Sequence, residues 1–480
     1  MSKLVRVRFA PSPTGHLHIG NARAAILNWI FSRHAGGRYI LRVEDTDIER
    51  SSAESEQSIQ QDLRWLGLEW DEGPEVGGDY GPYRQSERLS LYNKYAQKLL
   101  DKGLAFHCFC TQDELESERR KAIAEKRQPV YSGRCRKLSK HEREAFERQG
   151  RKPVLRLLFP NHAFTFRDLV KGEVTFPAGD LGDFVIARAD GVPTYNFAVV
   201  IDDALMQISH VIRGDDHVAN TPKQLAVYEA LKWPPPQFAH IPMILGEDRT
   251  RLSKRHGATS VDQYAQKGFL PHALVNYLSL LSWSSESGDD ILSLDRLISE
   301  FDFNRVSRSP AVFDPVKLTW MNGIYIRQTE VARLTDLSVP YLQKAGFNLP
   351  ANRELLEKII ASVQDMLELL EDVVEKARMF FVDSLEPESE EAAALLSRES
   401  TQKVFWSFVR QSELYDSMTS DNFRKMMKVV GKETGVMGKD LWMPIRVALT
   451  GQLHGPELPK VAENFGKEKC VAQIRKWIVG

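Results

Sequence analysis

Up to Leu66 the chain alternates strand, loop and amphipathic helix, and this order restricts the fold more than any other feature of the sequence. Val5, Val7 and Phe9 alternate with Arg6 and Arg8, the period-two pattern of a short strand, which ends at Pro11-Ser12-Pro13-Thr14-Gly15. From His18 to His34 the apolar residues Ala22, Ala25, Ile26, Trp29 and Ile30 recur at helical spacing until Gly36-Gly37 stops the helix. Residues 39–43 read as a second strand whose carboxyl end delivers Glu44-Asp45-Thr46-Asp47, and another amphipathic helix runs to about Leu66. Strand and helix in this order predict an α/β fold with a parallel sheet covered by helices.

The pattern returns after residue 195. Residues 211–213 read as a strand and Gly214-Asp215-Asp216 as the loop behind it, and a helix follows with Thr221 as its cap and Pro222 in its first position. Residues 241–245 make one more strand. Between the two halves lies a long segment of mixed composition, read as an inserted domain. Beyond about residue 330 strands fade, helical patterns such as 355–381 and 405–409 take over, and an acidic break at 386–391 divides the region. At 480 residues the chain is too long for one hydrophobic core, which fits such a division.

The opening residues lack the apolar core of a secretory signal, and no apolar run reaches the roughly 18 residues that crossing a bilayer takes. A cytoplasmic protein with no membrane partner is expected. Of four cysteines, three cluster at Cys108, Cys110 and Cys135, which fits a reduced compartment better than a disulfide framework. The formal net charge of −1 argues neither for nor against nucleic acid. Residues 118–152, however, hold thirteen Lys or Arg against five Glu, a charge that suits phosphates as well as a solvated helical face.

A nucleotide site in an open parallel sheet belongs at the carboxyl ends of strands, where loops and helix amino termini offer N–H groups to phosphate. The loop 11–20 holds that position. It contains neither a Walker sequence nor G-x-G-x-x-G, which disfavours P-loop kinases and dinucleotide oxidoreductases. It reads Pro-Ser-Pro-Thr-Gly-His-Leu-His-Ile-Gly instead.

Pro11-Ser12-Pro13-Thr14-Gly15 followed by His18-Ile19-Gly20-Asn21 resembles the H-I-G-H region of class I aminoacyl-tRNA synthetases, and within that class the bacterial-type glutamyl branch. Glutaminyl enzymes tend to read Pro-Glu-Pro-Asn-Gly. The fourth motif position is Asn21 here, not His. Arg251-Leu252-Ser253-Lys254-Arg255 resembles the K-M-S-K-S loop of the same fold, with Arg251 for the first lysine. The resemblance implies that Pro11, Ser12, Pro13, Thr14, Gly15, His18, Ile19, Gly20 and Asn21 bind ATP together with Arg251, Leu252, Ser253, Lys254 and Arg255. It makes His18 and Lys254 catalytic. A helix amino terminus with an imidazole donor and a glycine beneath it lets ATP approach the backbone, and a lysine on a loop supplies charge that follows the departing pyrophosphate.

The fold so implied is a class I synthetase Rossmann-type parallel sheet with an inserted acceptor-binding domain, followed by a mostly α-helical anticodon-binding region. Its expected divisions are 1–88 and 195–255 for the two catalytic halves, 89–194 for the insertion and 256–330 for a stem-contact domain. Residues 331–385 and 386–480 are then two helical anticodon-binding subdomains. Residues 308–314 and 317–322 resemble the stem-contact region, and Arg424, Lys425, Lys428 and Lys432 form a basic strip for the anticodon arm.

Glutamate carries two carboxylates and one ammonium, so its pocket needs at least two cations and an anion. By resemblance Arg8, Ser12, Glu44, Tyr195 and Arg213 form that site, with Glu44 on the ammonium, the arginines on the carboxylates in either order, and Tyr195 as a hydroxyl donor. A guanidinium paired two-handed with a carboxylate also rejects glutamine, whose amide nitrogen would face a donor. Cys108, Cys110 and Cys135 resemble three ligands of a zinc knuckle; the family's histidine two residues past the last cysteine is Lys137, which leaves His141, His107 or Tyr131 as the fourth ligand, or a metal-free remnant. The implied reaction joins L-glutamate to the 3′ end of tRNA-Glu through glutamyl-adenylate, with ATP and Mg²⁺, by a monomer whose activation step needs bound tRNA. A relaxed enzyme that also charges tRNA-Gln, a glutamylator of tRNA nucleosides and a catalytically silent tRNA-binding relative are the alternatives. The long helical region past 330 speaks against the second, and His18 and Lys254 against the third.

Overall fold

The computed structural model describes residues 4–47 and 51–479, and of Lys254 the backbone alone. Strand β1 (Arg6–Phe9) pairs in parallel with β2 (Arg38–Leu41), and helix α1 (Ile19–His34) makes the crossover between them. The alternation of apolar and charged residues in β1 does not mark one wet face, because all four of its residues are buried. Arg6 instead binds Glu72 through both terminal nitrogens, at 2.6 and 2.9 Å, under the ring of Tyr80. Helix α2 (Ala53–Trp65) starts at Ser52, whose hydroxyl accepts from the Ser55 N–H.

Helix α3 (Leu89–Asp101) leads into β3 (Ala105–Cys108), helices α4 (Gln112–Ala124) and α5 (Lys140–Arg148), and β4 (Val154–Leu157). Strands β5 (Phe164–Asp168), β6 (Gly172–Phe176) and β7 (Phe184–Ala187) follow. β3, β4 and β7 form a small antiparallel sheet. The β5–β6 hairpin, inside the segment expected as an insertion, joins another sheet through a parallel pairing of β5 with β9 (Gln237–Ile241). Helix α6 (Tyr195–Leu205), β8 (His210–Gly214) and α7 (Thr221–Leu231) complete that region, with β8 parallel to β9. Ser209 brings β8 beside β1, since its N–H donates to Arg6 O and its hydroxyl accepts from the Arg6 N–H.

Three local expectations are corrected. Thr221 is the first residue of α7 and Asn220 its cap; the threonine hydroxyl is drawn to the buried Arg213 and does not cap the helix. The strand expected at 241–245 starts at Gln237 and ends at Ile241, because Pro242 has no N–H for the ladder, and Ile244–Leu245 pairs separately with Ala311–Val312. The helical stretch 355–381 is one helix, Arg353–Val363, followed by short turns, since Leu370 N–H donates to Gly268 O and Asp372 takes the N–H groups of Glu368 and Leu369.

Residues 1–264 with 274–314 form one compact unit and residues 265–273 with 315–480 a second. The second contains helices and no strand among the described residues, around one core with Leu334, Ile360 and Val363 and another with Phe405, Phe408 and Phe423. No helix among the described residues is long and apolar enough to cross a membrane.

In the first unit α2 braces the 11–20 loop. Asp62 accepts from the Leu17 N–H at 3.3 Å, and burial pushes its carboxyl up to about 6, with Asp262 adding in the same direction against the Leu17 bond. Ionising Asp62 therefore costs more in the folded than in the unfolded chain, a penalty absent at about pH 4 and complete at about pH 7. Asp62→Asn, which keeps an acceptor for Leu17, is expected to raise the melting temperature at about pH 7 and to leave it unchanged at about pH 4. Equal shifts at both pH values would take the penalty away from Asp62.

Candidate functional site

Chain connections run outward from the centre of the sheet, from β1 to β2 and from β8 to β9, so a crevice opens between β1 and β8 at their carboxyl ends. A cleft of about 560 Å³ lies there, lined by Arg8, Ser12, Glu44, Tyr195 and Arg213 and by the loop residues Pro11, Thr14, His18, Gly20, Asn21, Arg251 and Leu252. Pro13 and Ile19 are buried and do not line it, nor do Gly15, Ser253 and Arg255. The side chain of Lys254 lies outside the described residues, and its backbone belongs to the turn Lys254–His256.

The floor is a buried ion network. Asp203, near the end of α6, binds Arg8 Nε at 3.1 Å and Arg42 Nη1 at 2.7 Å, while Arg42 Nη2 donates to Glu44 at 3.0 Å. Beside it Asp202 accepts from Arg88 Nε at 2.6 Å, Gln85 and Tyr92. Burial works to raise the Asp203 carboxyl, but Arg8 and Arg42 more than offset it and hold it below the usual range. Glu44 goes the other way: burial lifts it above that range against Arg42 and Arg8.

Arg213 forms the facing wall. Its Nε donates to His240 Nε2 at 3.1 Å and its Nη2 to Thr221 Oγ1 at 2.9 Å. Nη1 is buried with no acceptor of hydrogen-bonding geometry among the described residues, although the Tyr195 hydroxyl lies near enough to act on the guanidinium. Nε and Nη2 are thus engaged behind the wall. Arg8 is anchored through Nε alone. Tyr195 opens α6, and its hydroxyl sits 3.2 Å from His217 Nδ1.

His18 caps α1, its Nδ1 accepting from the Gly20 N–H at 3.1 Å. Burial lowers its basicity and Arg251 lowers it further, so the ring is neutral at pH 7, with its proton on Nε2. The loop is fastened from behind, Ile19 N–H to Thr259 O and Val261 N–H to Leu17 O. On the other side Leu245 pairs with Arg251 and the Leu252 N–H reaches Ile244 O. Asp248 binds Arg255 and His256, and the His256 ring lies flush on Gly246, where a Cβ would clash at 2.6 Å.

The cysteines come together as well. All three sulfurs lie within 4.8 Å of one another, Cys110 and Cys135 at 3.6 Å. The Tyr131 hydroxyl sits 3.5 Å from Cys108 Sγ and 3.8 Å from Cys110 Sγ; His107 and His141 are not part of the cluster. A tetrahedral zinc with bonds of about 2.3 Å sets its sulfurs about 3.8 Å apart, so this donor set fits the ion.

Of the 317–322 segment, Leu318, Met321 and Asn322 are buried and Trp320 is exposed. Asn322 bonds the backbone of Leu270 and Glu368. Sequence reasoning missed Arg42, Asp203, Asp168 and His240. One signal was there to be read: Asp202-Asp203 closes the apolar run Phe197-Ala198-Val199-Val200-Ile201, and buried carboxylates need partners.

Residues 4–320 match the family described as tRNA synthetases class I (E and Q), catalytic domain, and residues 333–478 the anticodon binding domain. The chain is 48% identical over 474 residues to a glutamate–tRNA ligase of Sulfurihydrogenibium sp., covering 98% of this chain and 99% of that one. It is 49% identical over 478 residues to glutamate–tRNA ligase 2 of Caldanaerobacter subterraneus subsp. tengcongensis, covering 98% of each. A crystal structure of a glutamate tRNA ligase from Elizabethkingia meningosepticum in complex with its amino acid superimposes with a TM-score of 0.91 at 32% identity and 99% coverage of both chains.

Asp203→Asn keeps the shape of the side chain but leaves two buried guanidinium groups short of an anion. A stability loss of about 3 kcal/mol in urea-induced unfolding is expected. A variant as stable as the parent would show that the network does not hold the floor together.

Proposed function

The chain belongs to the class I tRNA synthetases of the glutamate and glutamine family, on the glutamyl branch, and from that premise we propose how its cleft carries out the reaction. It attaches L-glutamate to tRNA with consumption of ATP. The observation that carries the assignment of the amino-acid site is the pairing of a buried anion, Glu44, with two buried cations, Arg8 and Arg213, on opposite walls of one cleft. Glutamate has the complementary charges.

Glu44 takes the ammonium. Burial raises its carboxyl and lowers the Arg213 guanidinium, so each lacks solvation that a ligand of opposite charge restores. Arg8 and Arg213 take the carboxylates, Arg213 through Nη1, and Tyr195 donates its hydroxyl. An amide in place of the side-chain carboxylate would turn its N–H groups toward guanidinium donors, which rejects glutamine. The α-carboxylate then attacks the α-phosphorus of ATP and pyrophosphate leaves. His18 offers Nε2–H to the phosphates beside Gly20, and Lys254 follows the leaving group. The 2′-hydroxyl of the terminal adenosine next takes the glutamyl group and AMP departs. No side-chain nucleophile is needed, so catalysis rests on positioning and charge.

Mg²⁺ would be held mostly by the substrate phosphates together with Asp47 and Asp216 of the cleft wall, the latter now 3.4 Å from Arg251, and would supply charge neutralisation. The basic segment 118–152 serves the acceptor end of tRNA, and the exposed Arg424, Lys425, Lys428 and Lys432 on the helix Ser420–Thr434 the anticodon arm. The enzyme works as a monomer in the cytoplasm.

Separate tRNA-Glu and tRNA-Gln transcripts, with ATP, Mg²⁺ and glutamate, test this reading, with Lys254→Ala as control. Charging of tRNA-Glu alone is expected, and charging of both would make the enzyme a relaxed one. Lys254→Ala should cut kcat at least a hundredfold, about 3 kcal/mol, with little change in glutamate KM. An unaltered kcat would remove Lys254 from its role, and no charging by the parent would leave a silent tRNA binder.

Zinc, if it occupies the cysteine cluster, is held by Cys108, Cys110, Cys135 and the Tyr131 oxygen, and it pins the insertion rather than taking part in the chemistry. Purified enzyme should carry one zinc per chain by metal analysis, Cys135→Ala none, and the variant should melt at lower temperature. A parent free of zinc after growth in zinc-replete medium would mean a remnant site.

A further inference from the structure

Two of the three nitrogens of Arg213 are held by His240 and Thr221, which do not line the cleft, and Nη2 also reaches His217 O at 3.5 Å. His240 on β9 is fully buried, its ring 11° from parallel with that of Phe238. Asp168, at the end of β5, fixes it: Oδ2 lies 2.6 Å from His240 Nδ1, and both oxygens accept from the His240 backbone N–H at 3.2 Å. Asp168 also accepts from the N–H groups of Val170 and Lys171, at 2.9 and 2.8 Å. With its Nδ1 proton given to Asp168, the ring keeps a lone pair on Nε2, and this is what Arg213 Nε meets. The contrast with Arg8 is chemical. A carboxylate, Asp203, holds Arg8 and offsets its charge, whereas a neutral imidazole and the Thr221 hydroxyl orient Arg213 and leave its charge to the ligand.

We propose that His240, oriented by Asp168, is a positioning residue for the amino-acid carboxylate, holding the Arg213 fork by Nε so that Nη1 meets the carboxylate without its charge being cancelled from behind. The inference rests on the reading of Arg213 given above.

The test is aminoacylation of tRNA-Glu by the full chain, with KM for glutamate and for ATP measured separately. His240→Phe keeps a flat ring beside Phe238 and leaves Asp168 its backbone donors, but removes the acceptor. Glutamate KM should rise roughly tenfold or more, the range for a lost hydrogen bond to a charged group, with ATP KM and melting temperature near the parent's. His240→Gln, whose amide oxygen can accept from Nε, should recover most of the loss. Thr221→Val, which removes the nearer acceptor of Nη2 and leaves only His217 O at 3.5 Å, should move the same parameter and serves where His240→Phe does not fold. Arg213→Ala separates the two levels of the argument. If it leaves glutamate KM unchanged, the reading of Arg213 fails. If it raises glutamate KM while His240→Phe and Thr221→Val do not, or if His240→Phe raises both KM values together with no recovery in His240→Gln, the positioning role is overturned.

Discussion

Asp203 stands between two buried guanidinium groups, and the active cleft depends on that arrangement. Arg8 lies in the first strand, Arg42 follows the second, and Asp203 comes from a helix far along the chain, so one carboxylate joins the two halves of the catalytic sheet. Charges this deep gain stability only when geometry and hydrogen bonding satisfy them almost completely. Here each carboxylate takes at least one guanidinium, and Asp202 adds Arg88, Gln85 and Tyr92 beside it. The cost of desolvation is met once, in folding, and the same groups then stand ready at the cleft without reorganising when substrate arrives.

The two walls treat charge differently. On the floor, Arg42 opposes the burial of Glu44 and Asp203 holds Arg8, so charge there is largely balanced. On the opposite wall the tethers of Arg213 are neutral, and Nη1 has no acceptor of hydrogen-bonding geometry among the described residues. A cleft with one balanced and one unbalanced cation discriminates by its unbalanced side, because that is where a missing ligand charge leaves a buried donor unsatisfied.

Local rules reached the fold well where strand, turn and helix signals agreed. The β1 strand, α1 and the loop between them were legible because glycines, prolines and helical spacing all fell in register there. The end of β9 was misplaced because a continuous apolar run, Ile241 to Leu245, hides the fact that Pro242 breaks the ladder. The cap of α7 was misread because Thr221 can cap or can hold Arg213, and only the packed strands decide. In the cleft, motif resemblance reached Arg8, Glu44 and Arg213, which stand at strand ends. His240 and Asp168 escaped it, since a buried His–Asp pair at distant positions looks in sequence like any two polar residues; their meeting is a property of strand neighbours β5 and β9.

The fastening on either side of the Lys254 turn sets a leash. Upstream, Leu252 is bonded to Ile244, and downstream Thr259 and Val261 are bonded to Ile19 and Leu17. Lys254 stands two residues past the first anchor, and at about 3.5 Å per residue its backbone swings within an arc of roughly 7 Å while both hold. Any larger travel during turnover must unzip one end. Because the downstream anchor is the backbone of the His18 loop itself, pulling that end would also disturb the nucleotide's other support. With the roles proposed for Lys254 and His18, grip on the leaving group and grip on the nucleotide are thus mechanically one piece.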